Sequence, residues 1–216
     1  MNEKRKLILT YLLALVALSF ILLTVSIVYL PLPTVDKSFS HAIQSYQSQS
    51  LDPIMRFISL IGVMPYSLIM VLLTALLFFL FKLKREAIFT LSTLLAGVAS
   101  TIVKIIVDRP RPAAPFVHVL EKTVQQSFPS GHVNFYVVFF GFLIVMMYHV
   151  KTIPFILRAL VITICALLIF FIPISRVYQG AHWFTDVIGG SLLGVLLLSA
   201  NSYFYLGLAR ISDKSA

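Results

Sequence analysis

Long apolar runs interrupted by short polar clusters set the rhythm of this chain. Six runs free of Asp, Glu, Lys and Arg stand out, at residues 7–30, 57–81, 87–103, 133–150, 159–175 and 187–209. A bilayer core is crossed by ~20 mostly apolar residues, range ~17–25. Lipid offers no partner for a free N–H or C=O, so each run must satisfy its own backbone and is predicted to be a helix. The expectation is an all-α, polytopic membrane protein with six transmembrane helices, forming a single domain over residues 1–216. No internal repeat and no low-complexity linker divides it. Residues 1–6 are basic like the start of a signal peptide, but the apolar run that follows is too long for one, so an uncleaved first helix is expected.

The segment between the first two runs follows a different pattern. Val35, Phe39, Ile43 and Tyr46 recur at helical spacing, with Asp36, Lys37, Ser38 and Gln44 between them. This predicts a short amphipathic helix in the headgroup plane, its polar residues toward water. Asp52-Pro53 reads as an N-cap followed by Pro at the first helical position. Gly62 and Pro65 should break that helix before it enters the bilayer. Residues 35–50 fit a lid or lateral lipid entrance, and equally a plain connector.

Composition agrees with the pattern and excludes the soluble classes. Hydrophobic residues make up 59% and charged residues 12%, with a mean hydropathy of +0.97; so few charges cannot coat a water-soluble domain. The lone Cys165 excludes a disulfide scaffold. Seventeen Lys and Arg against eight Asp and Glu give a net charge of +9, which in a soluble chain would suggest nucleic acid. Here the bilayer explains most of it and no nucleic-acid partner is expected. Ten cations (Lys4, Arg5, Lys6, Lys82, Lys84, Arg85, Lys151, Arg158, Arg210 and Lys214) fall on the side of the termini. By the positive-inside rule that side is cytoplasmic, in a plasma membrane. Seven remain on the opposite side: Lys37, Arg56, Lys104, Arg109, Arg111, Lys122 and Arg176.

Those outward cations accompany the residues that carry chemistry. Lys104 ends the third run, and alone would fit a snorkelling lysine. Arg111 lies between Pro110 and Pro112. Ser130-Gly131 precedes a helix starting near His132, and a helix N-terminus is both an anion site and an ordinary place for a Ser cap. His182 and Asp186 are four apart, on one face if helical, so the carboxylate could hold the imidazole's tautomer. A metal site from His132, His182 and Asp186 lacks any HExxH, CxxC or carboxylate cluster, and neither metal nor cofactor is expected.

Taken together these residues form three ordered blocks within 104–186: Lys104-x6-Arg111-Pro112, Pro129-Ser130-Gly131-His132 and Ser175-Arg176-x5-His182-x3-Asp186. This resembles the type 2 phosphatidic acid phosphatase family, whose site is shared with vanadium haloperoxidases and glucose-6-phosphatase. The membrane layout resembles its lipid phosphatase branch rather than the haloperoxidases. The resemblance implies that Lys104, Arg111, Arg176 and the N–H groups of Ser130 and Gly131 bind phosphate. It implies His182 as nucleophile through a phosphohistidine, Asp186 as its orienting partner and His132 as general acid and base, without a metal. The implied substrate is a membrane lipid phosphate such as phosphatidic acid, phosphatidylglycerol phosphate or undecaprenyl pyrophosphate, met on the extracytoplasmic face.

Further readings accompany this one. Arg109 and Lys122 could hold the second phosphate of a pyrophosphate, or be solvated loop charges. Phe116, Phe128, Tyr178 and Trp183 fit an interfacial aromatic belt better than a headgroup pocket. Gly190-x3-Gly194 permits close helix packing, within the chain or in a dimer; the pattern leaves the oligomeric state open. A transporter or channel with an interfacial anion site is the alternative function, and it would call for charges near span centres.

Overall fold

The computed structural model describes residues 3–29, 34–121 and 123–212, the last five of these by backbone alone. Lys122 and Lys214 lie outside the described residues. All regular structure among the described residues is α-helical: α1 (Glu3–Tyr29), α2 (Thr34–Gln44), α3 (Leu51–Leu60), α4 (Tyr66–Leu80), α5 (Lys84–Ser92), α6 (Leu95–Val107), α7 (Gly131–His149), α8 (Phe155–Tyr178) and α9 (Phe184–Ser212).

Five stretches are long and apolar enough to cross a bilayer: α1, the α5–α6 pair from Lys84 to Val107, α7, α8 and Phe184–Gly207 of α9. The expected second span is not a single helix. It divides into α3, a turn over residues 61–65 and the 15-residue α4. Gly62 and Pro65 lie in that turn, as their chemistry requires. At ~1.5 Å per residue α4 reaches about 22 Å, short of a ~30 Å hydrocarbon core. One shorter apolar helix thus stands where a sixth full span was expected. The third expected span also breaks, at residues 93–94, into α5 and α6.

Helix α7 is the hub, packed against α8, α9 and α6. Its sequence explains why. A polar side chain within a bilayer must find a partner inside the protein; buried Asn134 donates Nδ2–H to the carbonyl of Ala96 at 2.8 Å, and Tyr136 donates to the carbonyl of Ile58. By contrast α1 has no buried residue, and its Thr10 and Thr24 hydroxyls return to the helix's own carbonyls. It can face lipid along most of its surface, touching α9 and α6. Gly190 and Gly194 serve packing within the chain. A Cβ at Gly190 would lie 2.6 Å from the Ser130 carbonyl oxygen, and one at Gly194 2.7 Å from Val137 Cβ. These glycines let α9 press against α7, where the phosphate-site blocks of both helices begin.

Two local expectations are corrected. α3 starts at Leu51 after Ser50, which makes no side-chain cap. Asp52 is therefore inside the first turn, and its carboxylate accepts the Tyr178 hydroxyl at 2.7 Å. The amphipathic helix α2 forms as expected, but two of its polar residues point into the protein. Asp36 and Ser40 are buried, whereas Val35 and Phe39 are about two-fifths exposed. An apolar face toward lipid and a polar face toward protein is the low-energy arrangement in a membrane. Phe39 also stacks on Phe184 at 3.9 Å between ring centroids.

Candidate active site

Four helix ends and two connections converge at one end of the bundle. α6 brings Lys104 in its last turn, and α7 brings Ser130, Gly131 and His132 at its start. α8 ends on Ser175 and Arg176, and α9 opens with Asp186 in its first turn. His182 sits on the turn between α8 and α9. That turn depends on Gly180, whose φ of +64° is costly for a side-chain-bearing residue and whose Cβ would lie 2.4 Å from the His118 carbonyl oxygen. The structure brings together Lys104, Arg111, His132, Arg176, His182 and Asp186, the charged and imidazole members of the three sequence blocks. Lys104, Arg176, His182 and Asp186 are all buried.

The connection from Asp108 to Ser130 is fastened by the cations themselves. Lys104 donates to the carbonyl of Gln126 at 2.5 Å. Arg111 donates through Nε to the carbonyl of Gln125 at 2.5 Å and through a terminal nitrogen to that of Ala181 at 2.6 Å. Ser127 returns its N–H to the carbonyl of Arg109 at 2.8 Å. Two cations thereby hold their positions before any ligand arrives, which is the condition for electrostatic preorganisation.

His182 is held in one tautomer. A terminal nitrogen of Arg111 lies 3.3 Å from Nε2, and a guanidinium can only donate, so Nε2 presents its lone pair. The proton is then on Nδ1, which faces Asp186 Oδ2 at 3.4 Å. That contact falls outside hydrogen-bond geometry and is electrostatic. Burial, then repulsion from Arg111, Arg176 and Lys104, pushes the His182 pKa well below the usual histidine value. Burial and the neighbouring Arg176 likewise lower Arg111 to about 10, against the opposing pull of Asp186 and Glu121. Three cations around one neutral imidazole make a concentrated positive site.

Arg176 is fully buried and is held in a fork by Glu121, with N···O distances of 2.7 and 3.0 Å, and it also donates to Ser59 Oγ. A carboxylate pairs with a guanidinium in the planar, two-bond mode that phosphate also uses. His132 Nε2 is buried without a partner, and its ring packs on Gly62, where a Cβ would come within 2.5 Å of Cδ2.

Several sequence readings change here. Ser130 caps α7, its Oγ accepting from Val133 N–H, but its own N–H is donated to the carbonyl of Asp186 at 3.0 Å. In this structure that N–H is engaged in tying α7 to α9. Arg109 is neither solvated nor aimed at a second phosphate; it is buried between two carboxylates, Asp36 and Asp186. Phe128, Tyr178 and Trp183 are buried in the protein rather than forming a belt, and Phe116 alone of the four is exposed, with Lys37 over its ring at 4.4 Å. Asp36, Ser59, Gly62, Glu121 and Ser127 were missed. Only Asp36 gave a signal, a carboxylate in an amphipathic helix, and its periodicity pointed to water.

A buried group of cations around a carboxylate-backed histidine, at one end of a membrane helix bundle, defines a membrane enzyme that acts on phosphate. Residues 85–209 match the model of the PAP2 superfamily. The chain belongs to that superfamily and is a multi-pass membrane phosphatase of PAP2 type. It is 29% identical over 204 residues to phosphatidylglycerophosphatase B of Bacillus subtilis (strain 168), covering 91% of this chain and 96% of that one. It superposes with a TM-score of 0.75 on the crystal structure of a transmembrane PAP2-type phosphatidylglycerolphosphate phosphatase from Bacillus subtilis, at 26% identity over 89% of this chain and 94% of that one. The fold is also that of Aquifex aeolicus LpxE, with a TM-score of 0.61 and 21% identity over 81% and 96% of the two chains.

Proposed function

We infer that this membrane phosphatase hydrolyses a lipid phosphate monoester, phosphatidylglycerol phosphate foremost, through a phosphohistidine on His182. The observation that carries the reading is the neutral His182, its Nε2 lone pair among Lys104, Arg111 and Arg176 and its Nδ1–H toward Asp186. The two Bacillus proteins named for phosphatidylglycerol phosphate support the headgroup. The buried, doubly paired Arg109 removes one of the two cations that a pyrophosphate reading would use.

An entering phosphate displaces the Glu121 carboxylate from Arg176 and draws an Arg111 N–H from Nε2 to a nonbridging oxygen. That transfer frees the lone pair. Nε2 attacks phosphorus in line, the N–P bond forms, and the P–O bond to the lipid alcohol breaks. His132 enters the step as the imidazolium, its charge balanced by the bound phosphate dianion, and protonates the departing oxygen. Asp186 supports the positive imidazole ring that results. Water then attacks phosphorus as His132 takes its proton, the N–P bond breaks, and phosphate leaves with Nε2 restored. Lys104, Arg111, Arg176 and the Gly131 N–H stabilise the charge on the equatorial oxygens. Three cations fill the electrostatic role a divalent metal plays in other phosphatases, and they would repel one.

The whole chain acts as one membrane domain. Both termini face the cytoplasm and the site opens at the outer leaflet of the plasma membrane, where the acyl chains stay in lipid as the headgroup enters. The charges gather at one end of the bundle, which favours hydrolysis over transport.

The decisive measurement is phosphate release in detergent from phosphatidylglycerol phosphate, phosphatidic acid, undecaprenyl pyrophosphate and a soluble monoester, with and without chelator. Release from the lipid monoesters should be untouched by chelator. His182→Ala should lower it on the order of 10⁴-fold or more, as expected when a covalent nucleophile is removed. Full activity in His182→Ala, or release from the soluble compound alone, would overturn the reading.

A further inference from the structure

The loop that supplies Arg111 carries a second arginine whose position the phosphate cradle does not explain. Arg109 is 6% exposed. One terminal nitrogen donates to Asp186 Oδ1 and, at 2.8 Å, to Thr185 Oγ1; the other donates to Asp36 Oδ2 at 2.6 Å. Asp36 belongs to α2, far from the three blocks in sequence. Its carboxylate also accepts the Thr185 N–H at 2.8 Å and the Thr185 hydroxyl at 2.9 Å. On the other side, Asp186 Oδ2 accepts from Ser127 Oγ and from the Trp183 N–H at 2.8 Å, and faces His182 Nδ1.

We propose that Arg109 is a positioning residue, shared between Asp36 and Asp186, which sets both the orientation and the effective charge of the carboxylate behind the His182 nucleophile. The reading rests on His182 as nucleophile. Two buried carboxylates share one guanidinium, so the trio carries one surplus negative charge, and the only imidazole in contact with it is that of His182. A single arginine facing Asp186 alone would neutralise it and leave little to support a positive ring. Asp36 draws part of the arginine's charge away. Without Arg109, in turn, Asp186 would be an over-strong, loosely held anion. The strut runs from α2 through the loop to the start of α9, so residues 34–44 form a fixed part of the catalytic end rather than a movable cover. Gln44 and Gln47 add to the fastening, donating to the carbonyls of His118 and Tyr178 at 2.8 and 2.7 Å.

The charges around His182 come from every element packed on it. They are Lys104 of α6, Arg111 of the loop, His132 of α7, Arg176 of α8 with its partner Glu121, and Asp186 of α9. Against that fixed background the two ends of the strut have opposite signs. Arg109→Gln exposes His182 to more negative charge and raises its pKa; Asp36→Asn leaves the arginine wholly to Asp186 and lowers it. The shifts should be on the order of half a unit, smaller than for a direct ion pair. The double variant should return toward the parent value.

The test uses the full chain in detergent with ¹⁵N-imidazole NMR titration of His182, beside kcat, KM and the acid limb of the kcat profile. Arg109→Lys, which keeps the charge but cannot fork between two carboxylates, should lose on the order of tenfold in kcat with little change in KM. The pKa shifts of the two single variants should be opposite. Shifts of the same sign, or none in folded variants, would overturn the proposal. A loss confined to KM would make Arg109 a phosphate ligand and overturn it too. Because the NMR titration needs no turnover, opposite shifts in a protein inactive on all lipids would uphold the strut while sinking the phosphatase reading.

Discussion

At His182 the decisive quantity is the balance of charge within contact distance. Burial and three neighbouring cations keep the ring neutral, so the proposed nucleophile holds its lone pair across neutral pH and loses it only as pH falls through its depressed pKa. A bound dianion offsets those cations. Phosphate or vanadate should therefore raise the His182 pKa, moving its titration toward or above the ordinary ~6.5. A ¹⁵N-imidazole titration with and without inorganic phosphate measures this, and an unchanged midpoint would mean the anion binds elsewhere. The same cations explain why Arg176 sits against Glu121 at rest. A guanidinium with no exposed surface needs a counter-charge; the carboxylate supplies it, and in the proposed reaction phosphate takes its place.

Among the elements, α7 and α9 meet where substitution should be least forgiving. Gly190 faces the backbone oxygen of Ser130, which cannot rotate aside. Gly190→Ala should cost ~1–3 kcal/mol from overpacking and, by moving the start of α7, should lower turnover more than its loss of stability alone explains. Thermal unfolding in detergent, with kcat measured well below the melting point, separates the two. The elements also show how far the sequence could be read. Runs of apolar residues located α1, α7, α8 and α9 because lipid forces a helix on such runs. They could not tell that residues 57–81 divide unequally or that α5 and α6 are separate, since a broken helix and a whole one have the same hydropathy. The three blocks stood out because their charged, histidine and serine residues are polar beside long apolar runs, where polarity is expensive. Asp36 and Glu121 escaped because each looks like a solvated charge in its own segment, and only the tertiary fold sets Asp36 against Arg109 and Glu121 against Arg176. α2 was foreseen as an amphipathic helix, but its pattern did not show that Asp36 and Ser40 would be buried against the protein.

On the scale of the whole molecule, the proposed topology divides the excess of basic residues between orientation and chemistry. The proposed topology can be checked through the single native cysteine, Cys165, which is buried. Val124, on the connection from α6 to α7, is fully exposed, and Val124→Cys should react in intact cells with a membrane-impermeant maleimide while the parent does not. Labelling only after lysis would invert the proposed orientation. The stitching of that connection has a wider meaning. Lys104 and Arg111 grip neighbouring carbonyls, at Gln126 and Gln125, and Arg111 also grips Ala181 on the far side. The donors proposed to hold the phosphate are thus the clasps that close this end of the bundle. Affinity and tertiary integrity are drawn from one set of bonds, so the free-energy losses of separate lysine and arginine substitutions are not independent and cannot be summed to the total. This end of the bundle should therefore respond as a single cooperative unit, in which exchanging one cation loosens its neighbours' hold.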